Sequence, residues 1–352
     1  MMAHHPAEML AGLLNSQEVG FYSPRVLLNE ARRKGIAILA PDIHLSGEGF
    51  SVEQNGGALR VGLSYCKGLS DSETLSEIIA EREKEPFSGV ADLYRRTSVG
   101  RDVLTNLIRS GFLDSLGSSP RSSLDPRAGE ARRALLVEFE GLPAKKRHKD
   151  RRAELPLPPR EHPASWWSLR EGRPGEELTR LPSPRGFNPI YAEWERDQAR
   201  MLGLDVGDHP LARHRTALME MGVSLSRDLY GTAAGSRVHV AGLLETLQAP
   251  PTRSGKVVHF LLTEDESGLL QSTIFSDCYR RCGHVLYETR AYLLEGRVEQ
   301  DRRRGFSFVI EGVEPLGQVL SRTRYSTASE TNSAAGGQVG AQPRSRPRRS
   351  AG

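Results

Sequence analysis

The chain has 352 residues, enough for two or three modest domains, but at 38% hydrophobic and 6% aromatic it carries too little apolar content for all of it to be packed core. Its net charge of +4, from 48 basic and 44 acidic residues, tolerates a polyanionic partner without requiring one. Three cysteines exclude a disulfide framework, no apolar run reaches membrane-spanning length, and the N-terminus lacks the basic region of a signal peptide, so the cytoplasm is the expected compartment. Pro6 to Leu14 then predicts a short apolar helix. Ser23-Pro24 is a helix start, an N-cap followed by proline in the first turn, and Gly35 is the stop. Arg32-Arg33-Lys34 fall in the last turn, where cations favour the helix C-terminus; that role is preferred over a DNA contact. Ile36 to Ala40 predicts a short buried strand ended by Pro41-Asp42.

Leu59 to Leu116 reads as two copies of one small unit. The first is Tyr65-Cys66-Lys67-Gly68-Leu69-Ser70-Asp71-Ser72-Glu73, followed by a helical run from Thr74 to Lys84. The second is Leu107-Ile108-Arg109-Ser110-Gly111-Phe112-Leu113-Asp114-Ser115, preceded by a helical run from Arg101 to Leu107. In each, a basic residue and a glycine interrupt an apolar pattern where two short helices meet. Glycine permits the tight turn, and the turn with the next helix N-terminus directs backbone N–H groups at a phosphate. This pattern predicts duplex binding without sequence reading.

Ser118 to Pro189 has little periodicity, a Pro-Leu-Pro-Pro-Arg stretch at 156 to 160 and a dense basic run at 145 to 152. It predicts a solvated linker with some electrostatic contribution to DNA binding, and one helix around Leu135, Leu136 and Phe139. Order resumes with a helix from Ala192 to Leu202, burying Trp194, Ala199 and Leu202, and a second from Leu211 to Met221.

From Ser236 the period becomes two. Strands are expected from Val238 to Leu244, Lys256 to Thr263, Leu269 to Phe275, Ala291 to Glu299 and Gly305 to Val313, with Glu264 to Gly268 a polar turn and Ser276 to Leu286 a helix. Three strands, a helix and two strands is the order of an OB-fold, a small five-stranded β-barrel. Such barrels bind single strands through basic grooves and stacked aromatics. Phe260, Phe275, Phe306 and Phe308 are the aromatic candidates, most of them expected to fill the barrel; Lys256, Arg302, Arg303 and Arg304 are the surface candidates by charge and position. The tail from Gln318, with Arg344, Arg346, Arg348 and Arg349, predicts disorder and weak affinity for polyanions.

Catalytic patterns are not apparent. Nucleotidyl transfer needs carboxylates that hold two metal ions close together. Asp42, Asp265 and Glu266 read instead as turn residues, and no phosphate-loop, serine-elbow or zinc-protease motif is present. Cys278 and Cys282, with His284 nearby, read as free thiols on a helix rather than a metal site.

Several segments carry a resemblance. Ala3 to Glu8, Leu13 to Pro24, Ile38 to Ile43 and Leu59 to Leu63 resemble the end of the fingers region in bacterial C-family DNA polymerases, relatives of the polymerase III alpha subunit. Lys67-Gly68-Leu69 and Ser110 to Leu116 resemble that family's tandem helix-hairpin-helix. Trp194 to Gly222 is most similar to the error-prone, damage-tolerant branch, and Val240-Ala241-Gly242 with Leu262 to Gly268 resembles its OB segment.

The resemblance implies an α+β multidomain chain in six parts: 1–58, the end of the fingers; 59–117, the α-helical tandem helix-hairpin-helix; 118–189, a basic Pro-rich linker; 190–231, a helical connector; 232–317, the five-stranded OB-fold barrel; 318–352, a disordered tail. It places the family's palm, with its three catalytic aspartates, upstream of Ala3, so the chain corresponds to the C-terminal part of a polymerase, from a truncated gene, a split gene or a misplaced start codon, and is expected to be inactive alone. Full-length relatives would copy past damaged bases in DNA repair and replication, using Mg2+; no cofactor is expected for this chain. The carried-over DNA contacts are Lys67, Gly68, Ser70, Arg109 and Gly111. The expected partners are DNA, as duplex, primer–template or single-stranded template, and other mutagenesis or replication proteins, with no membrane. The alternative reading is a stand-alone DNA-binding or scaffold module.

Overall fold

A computed structural model of the chain describes residues 4–16, 22–116, 128–145, 189–250, 257–301 and 305–322. The first body is mainly helical. Helix α1 (Pro6–Asn15) and helix α2 (Pro24–Arg33) form where proline at the first turn predicts them, and the Ser23 hydroxyl accepts from the Val26 N–H at 3.4 Å as N-cap. Gly35 ends α2 with φ +75°. Strands β1 (Ala37–Leu39), β2 (Ser51–Glu53) and β3 (Ala58–Arg60) make a small sheet in the order β1-β3-β2.

Helices α3 (Ser72–Lys84), α4 (Val90–Arg96) and α5 (Arg101–Ser110) follow, then α6 (Ala128–Glu140) and α7 (Pro189–Leu202). One apolar cluster runs from Ala7 and Leu10 through Leu59, Leu75, Leu107 and Phe112 to Leu135, Phe139 and Leu204. The expected boundaries near residues 58 and 118 therefore do not divide the core: α1 and α2 share it with the glycine turns, and α6 belongs to it although it lies inside the segment expected to be a linker.

The second body begins at α8 (Arg215–Glu220) and β4 (Val223–Ser224). It then adds β5 (Arg237–Gln248), β6 (Val258–Asp265), β7 (Gly268–Phe275), α9 (Ser276–Cys282), β8 (Ala291–Asp301) and β9 (Gly305–Pro315). The sheet order is β4-β5-β6-β7-β9-β8, and β5 also pairs antiparallel with β8 from Arg237↔Arg297 to Leu243↔Ala291. Strands β7 and β9 are parallel. Val240, Leu261, Ile274, Leu294, Phe308 and Ile310 fill the interior. Glu264 and Asp265 close β6 rather than forming a loop, and both are fully buried. The Asp265 carboxylate accepts from the N–H groups of Ser226, Ser267 and Gly268 at 2.7, 2.8 and 3.0 Å, which holds the β6–β7 turn.

The bodies meet along α2. Asn29 Nδ2 donates to Glu264 Oε2 at 2.8 Å, Arg33 Nη1 to Glu264 Oε1 at 3.2 Å, and Ser23 Oγ to Glu245 Oε2 at 2.9 Å. Within the helical body, beside this junction, Arg25 pairs with Asp205 at 3.0 Å and Arg32 donates to the Asp205 carbonyl. The basic end of α2 thus serves this junction. Burial, with the nearby Glu245 charge, pushes the Glu264 carboxyl up to about 7, against the opposing effect of Asn29 and Arg33. His209, buried among the same arginines, is held well below its ordinary range, so its Nδ1 is free to accept from the Leu211 N–H at 3.2 Å.

Candidate nucleic-acid interface

The two glycine turns form as the sequence requires, with Gly68 at φ +85° and Gly111 at φ +90°, both left-handed. Their settings differ. In the first, Cys66 to Leu69 make a four-residue turn closed by the Leu69 N–H donating to the Cys66 carbonyl at 2.9 Å. Leu69 and Cys66 are buried, which pins the ends of the turn, while Lys67, Gly68 and Ser70 are exposed. Asp71 caps α3, accepting from the Thr74 N–H at 3.1 Å. Three predicted contacts thus lie together on one surface loop leading into α3, whose N-terminal dipole is answered by the Asp71 carboxylate.

In the second turn, Gly111 ends α5 and is buried. A Cβ there would collide with the Arg132 guanidinium, whose Nε and Nη2 donate to Asp114 at 2.8 and 2.6 Å. Gln198 of α7 donates to the Ser110 carbonyl at 2.7 Å. The element after Gly111 is a three-residue 3-10 turn, Asp114–Leu116, not an α-helix offering an N-terminus. Arg109 is 41% exposed and lies 4.0 Å from Asp197. Gly111, expected as a DNA contact, lies in a turn that α6 and α7 pack over through Arg132 and Gln198. Arg109 stays partly exposed beside this covered turn, with its Nε buried.

Lys256, Arg302, Arg303 and Arg304 lie outside the described residues, as do residues 146–152 of the basic run. Lys145, at its start, is described: its Nζ donates to the Thr97 carbonyl and sits 4.2 Å from the Tyr94 ring centre, and burial lowers its pKa. It is a packing residue.

The aromatic candidates divide. Phe308 is interior, and Phe306 packs, with ring centres 4.5 Å apart and planes tilted by 37°, against Tyr230, an exposed ring that strand periodicity alone did not reveal. On β6 and β7, the pairs Val258↔Phe275, Phe260↔Thr273 and Leu262↔Gln271 share the outward face. Phe260 is half-buried and Phe275 is 50% exposed. The Cys278 and Cys282 sulfurs lie 3.4 Å apart on α9 as free thiols, and among the described residues no group of three His, Cys, Asp or Glu could hold a metal ion.

Helices α3 to α5 with two glycine turns define a helix-hairpin-helix unit, and the family model for the helix-hairpin-helix motif matches residues 35–123. Over most of its length the chain is a relative of the bacterial error-prone DNA polymerases. It is 32% identical to the error-prone DNA polymerase of Symbiobacterium thermophilum, over 87% of this chain and 29% of that protein. The corresponding values are 32%, 91% and 26% for Corynebacterium efficiens, and 28%, 89% and 26% for Xanthomonas campestris. The chain therefore spans between a quarter and three tenths of the length of these relatives. Solved structures similar to part of the chain include the second OB-fold domain of replication protein A from Methanococcus maripaludis (10% identity, 24% of this chain, 89% of that one, TM-score 0.18). Another is the mitochondrial single-stranded DNA binding protein Rim1 of S. cerevisiae (11%, 24%, 97%, TM-score 0.20). Scores this low do not establish a shared fold. No described helix is long and apolar enough to cross a membrane.

Proposed function

We propose that this chain is the DNA-holding part of an error-prone DNA polymerase, gripping duplex behind the primer end and guiding single-stranded template, with no synthesis of its own. The observation that carries the reading is the first hairpin: Lys67, Gly68 and Ser70 are exposed on a loop that enters the N-terminus of α3. Such a loop suits a phosphate oxygen, since the Lys67 cation and Ser70 are exposed together on either side of the Gly68 turn and read no base, while the N-terminus of α3 is already capped by Asp71. Arg109 adds a second, weaker cationic contact.

The second body is read as a five-stranded OB-type barrel. The pairing circuit β5-β6-β7-β9-β8 and back to β5, with β7 and β9 parallel and α9 between β7 and β8, supports this. The outward β6–β7 face, with Phe260, Phe275, Thr273 and Gln271, is the surface offered to single-stranded template, since exposed rings stack bases irrespective of sequence. Lys256 and Arg302 to Arg304 are proposed as its flanking cations. In the whole polymerase the chemistry would be DNA-directed synthesis past damage, with Mg2+ held by carboxylates outside this chain.

Fluorescence anisotropy on a primer–template junction, a blunt duplex and a single strand across a salt series tests the reading. Binding should weaken steeply with salt and fall in Lys67→Glu/Arg109→Glu. Equal binding by the wild type and that variant would remove the hairpin from the interface.

A further inference from the structure

The Lys67 peptide is fixed on both sides by residues remote in sequence. Its N–H donates to the Met201 carbonyl near the end of α7 at 2.9 Å, and its carbonyl accepts from Asn106 Nδ2 of α5 at 2.8 Å. The Cβ position of Gly68 would meet Val103 Cγ2 at 3.5 Å and Asn106 Nδ2 at 3.8 Å, so the turn lies flat against the same stretch of α5. A two-peptide turn with glycine third has a near-isoenergetic partner in which the central peptide is flipped. Ties at both ends of Lys67 select one orientation and leave its side chain exposed.

We infer that Asn106 is a positioning residue for phosphate binding, which by holding the Lys67 carbonyl aims the Lys67 side chain and the Gly68 turn at the DNA backbone. The inference rests on the DNA-holding reading of the first hairpin. Asn106 acts through Lys67. Its amide is committed to the Lys67 carbonyl, and it sits on the flank of α5 rather than on the loop. Preorganisation of this kind raises affinity by removing an ordering penalty from binding.

The experiment is a double-mutant cycle on the full chain, read by anisotropy on a primer–template duplex. Asn106→Leu, which keeps the approximate bulk and removes the donor, should weaken binding on the order of fivefold, the equivalent of one neutral hydrogen bond. Lys67→Gln should weaken binding and make the slope of log affinity against log salt shallower by about one. The two effects should not multiply: in the Lys67→Gln background, Asn106→Leu should change binding less than about twofold. Thermal melting of Asn106→Leu should stay near wild type, which separates aiming from folding. Full multiplication of the two effects, or wild-type binding by Asn106→Leu while Lys67→Gln weakens it, overturns the positioning role and leaves the DNA-holding reading standing. Wild-type binding by Lys67→Gln overturns both.

Discussion

The two glycine turns come from the same kind of sequence, share a left-handed glycine, and meet different fates. At Gly68 the backbone faces outward; at Gly111 it lies beneath Arg132 and Asp114, with Gln198 on the neighbouring carbonyl. They also support each other: Cys66 Sγ and Ser110 Oγ stand 3.9 Å apart, and Asn106 of the helix leading into the second turn holds the first. A repeated motif therefore does not mean a repeated function. One copy can be spent as scaffold so that the other is rigid, and which is which depends on residues that arrive later in the chain.

The largest expected effect comes from breaking the seal. Arg132→Ala leaves the buried Asp114 carboxylate without its partner and should destabilise the protein by about 3–5 kcal/mol, read by urea denaturation. A change within about 0.5 kcal/mol, the range of ordinary surface substitutions, would mean the seal is not structural. A titration that leaves both hairpins alone sharpens the comparison. The folded state raises the Glu264 carboxyl from 4.5 to about 7, so its contribution to stability is present below 4.5 and is lost as pH rises through about 7. Stability should drop by on the order of 2 kcal/mol between pH 5 and 8 from this group, and Glu264→Gln should flatten that slope. An unchanged slope in the variant would assign the pH dependence elsewhere.

Next come the glycines. Alanine at either position must adopt a positive φ, but only at Gly111 does its Cβ also strike the Arg132 guanidinium. Gly111→Ala should cost more than about 1 kcal/mol and exceed Gly68→Ala, whereas Gly68→Ala should lose the more DNA affinity. A reversed order of either effect would break the contrast between sealed and open turns. The smallest effect on stability belongs to Lys67→Glu, within about 0.5 kcal/mol by melting, although it should weaken DNA binding several-fold more than Arg109→Glu.

Much of the fold was legible in the sequence because its signals are local. Ser23-Pro24 and Gly35 bound α2, and period-two alternation located β5, β7, β8 and β9. The positive φ at Gly68 and Gly111 followed from the interrupted apolar pattern. What was not legible depended on distant partners. Nothing near Gly111 announces Arg132 or Gln198, separated from the turn in the sequence by a stretch of little periodicity beyond Leu116 and, for Gln198, by the basic run. Arg33 looked like a helix-terminal cation and does pair with Glu30 inside α2, yet it also holds Glu264, 231 residues away. Asn106, in the middle of an amphipathic helix, carried no signal at all; only its 2.8 Å contact with Lys67 gives it a role.

The α2 junction has a consequence for how the molecule comes apart. The helical core and the sheet core are separate apolar clusters that share no residue, and the described bonds from α2 to the sheet are polar ones through Ser23, Asn29 and Arg33. Joints of that kind transmit heat-induced disorder poorly, because each side can lose its packing while the other keeps its own. Scanning calorimetry should resolve two overlapping transitions, with the apparent van't Hoff enthalpy of the whole endotherm below its calorimetric enthalpy, and salt that screens the joint should draw them further apart.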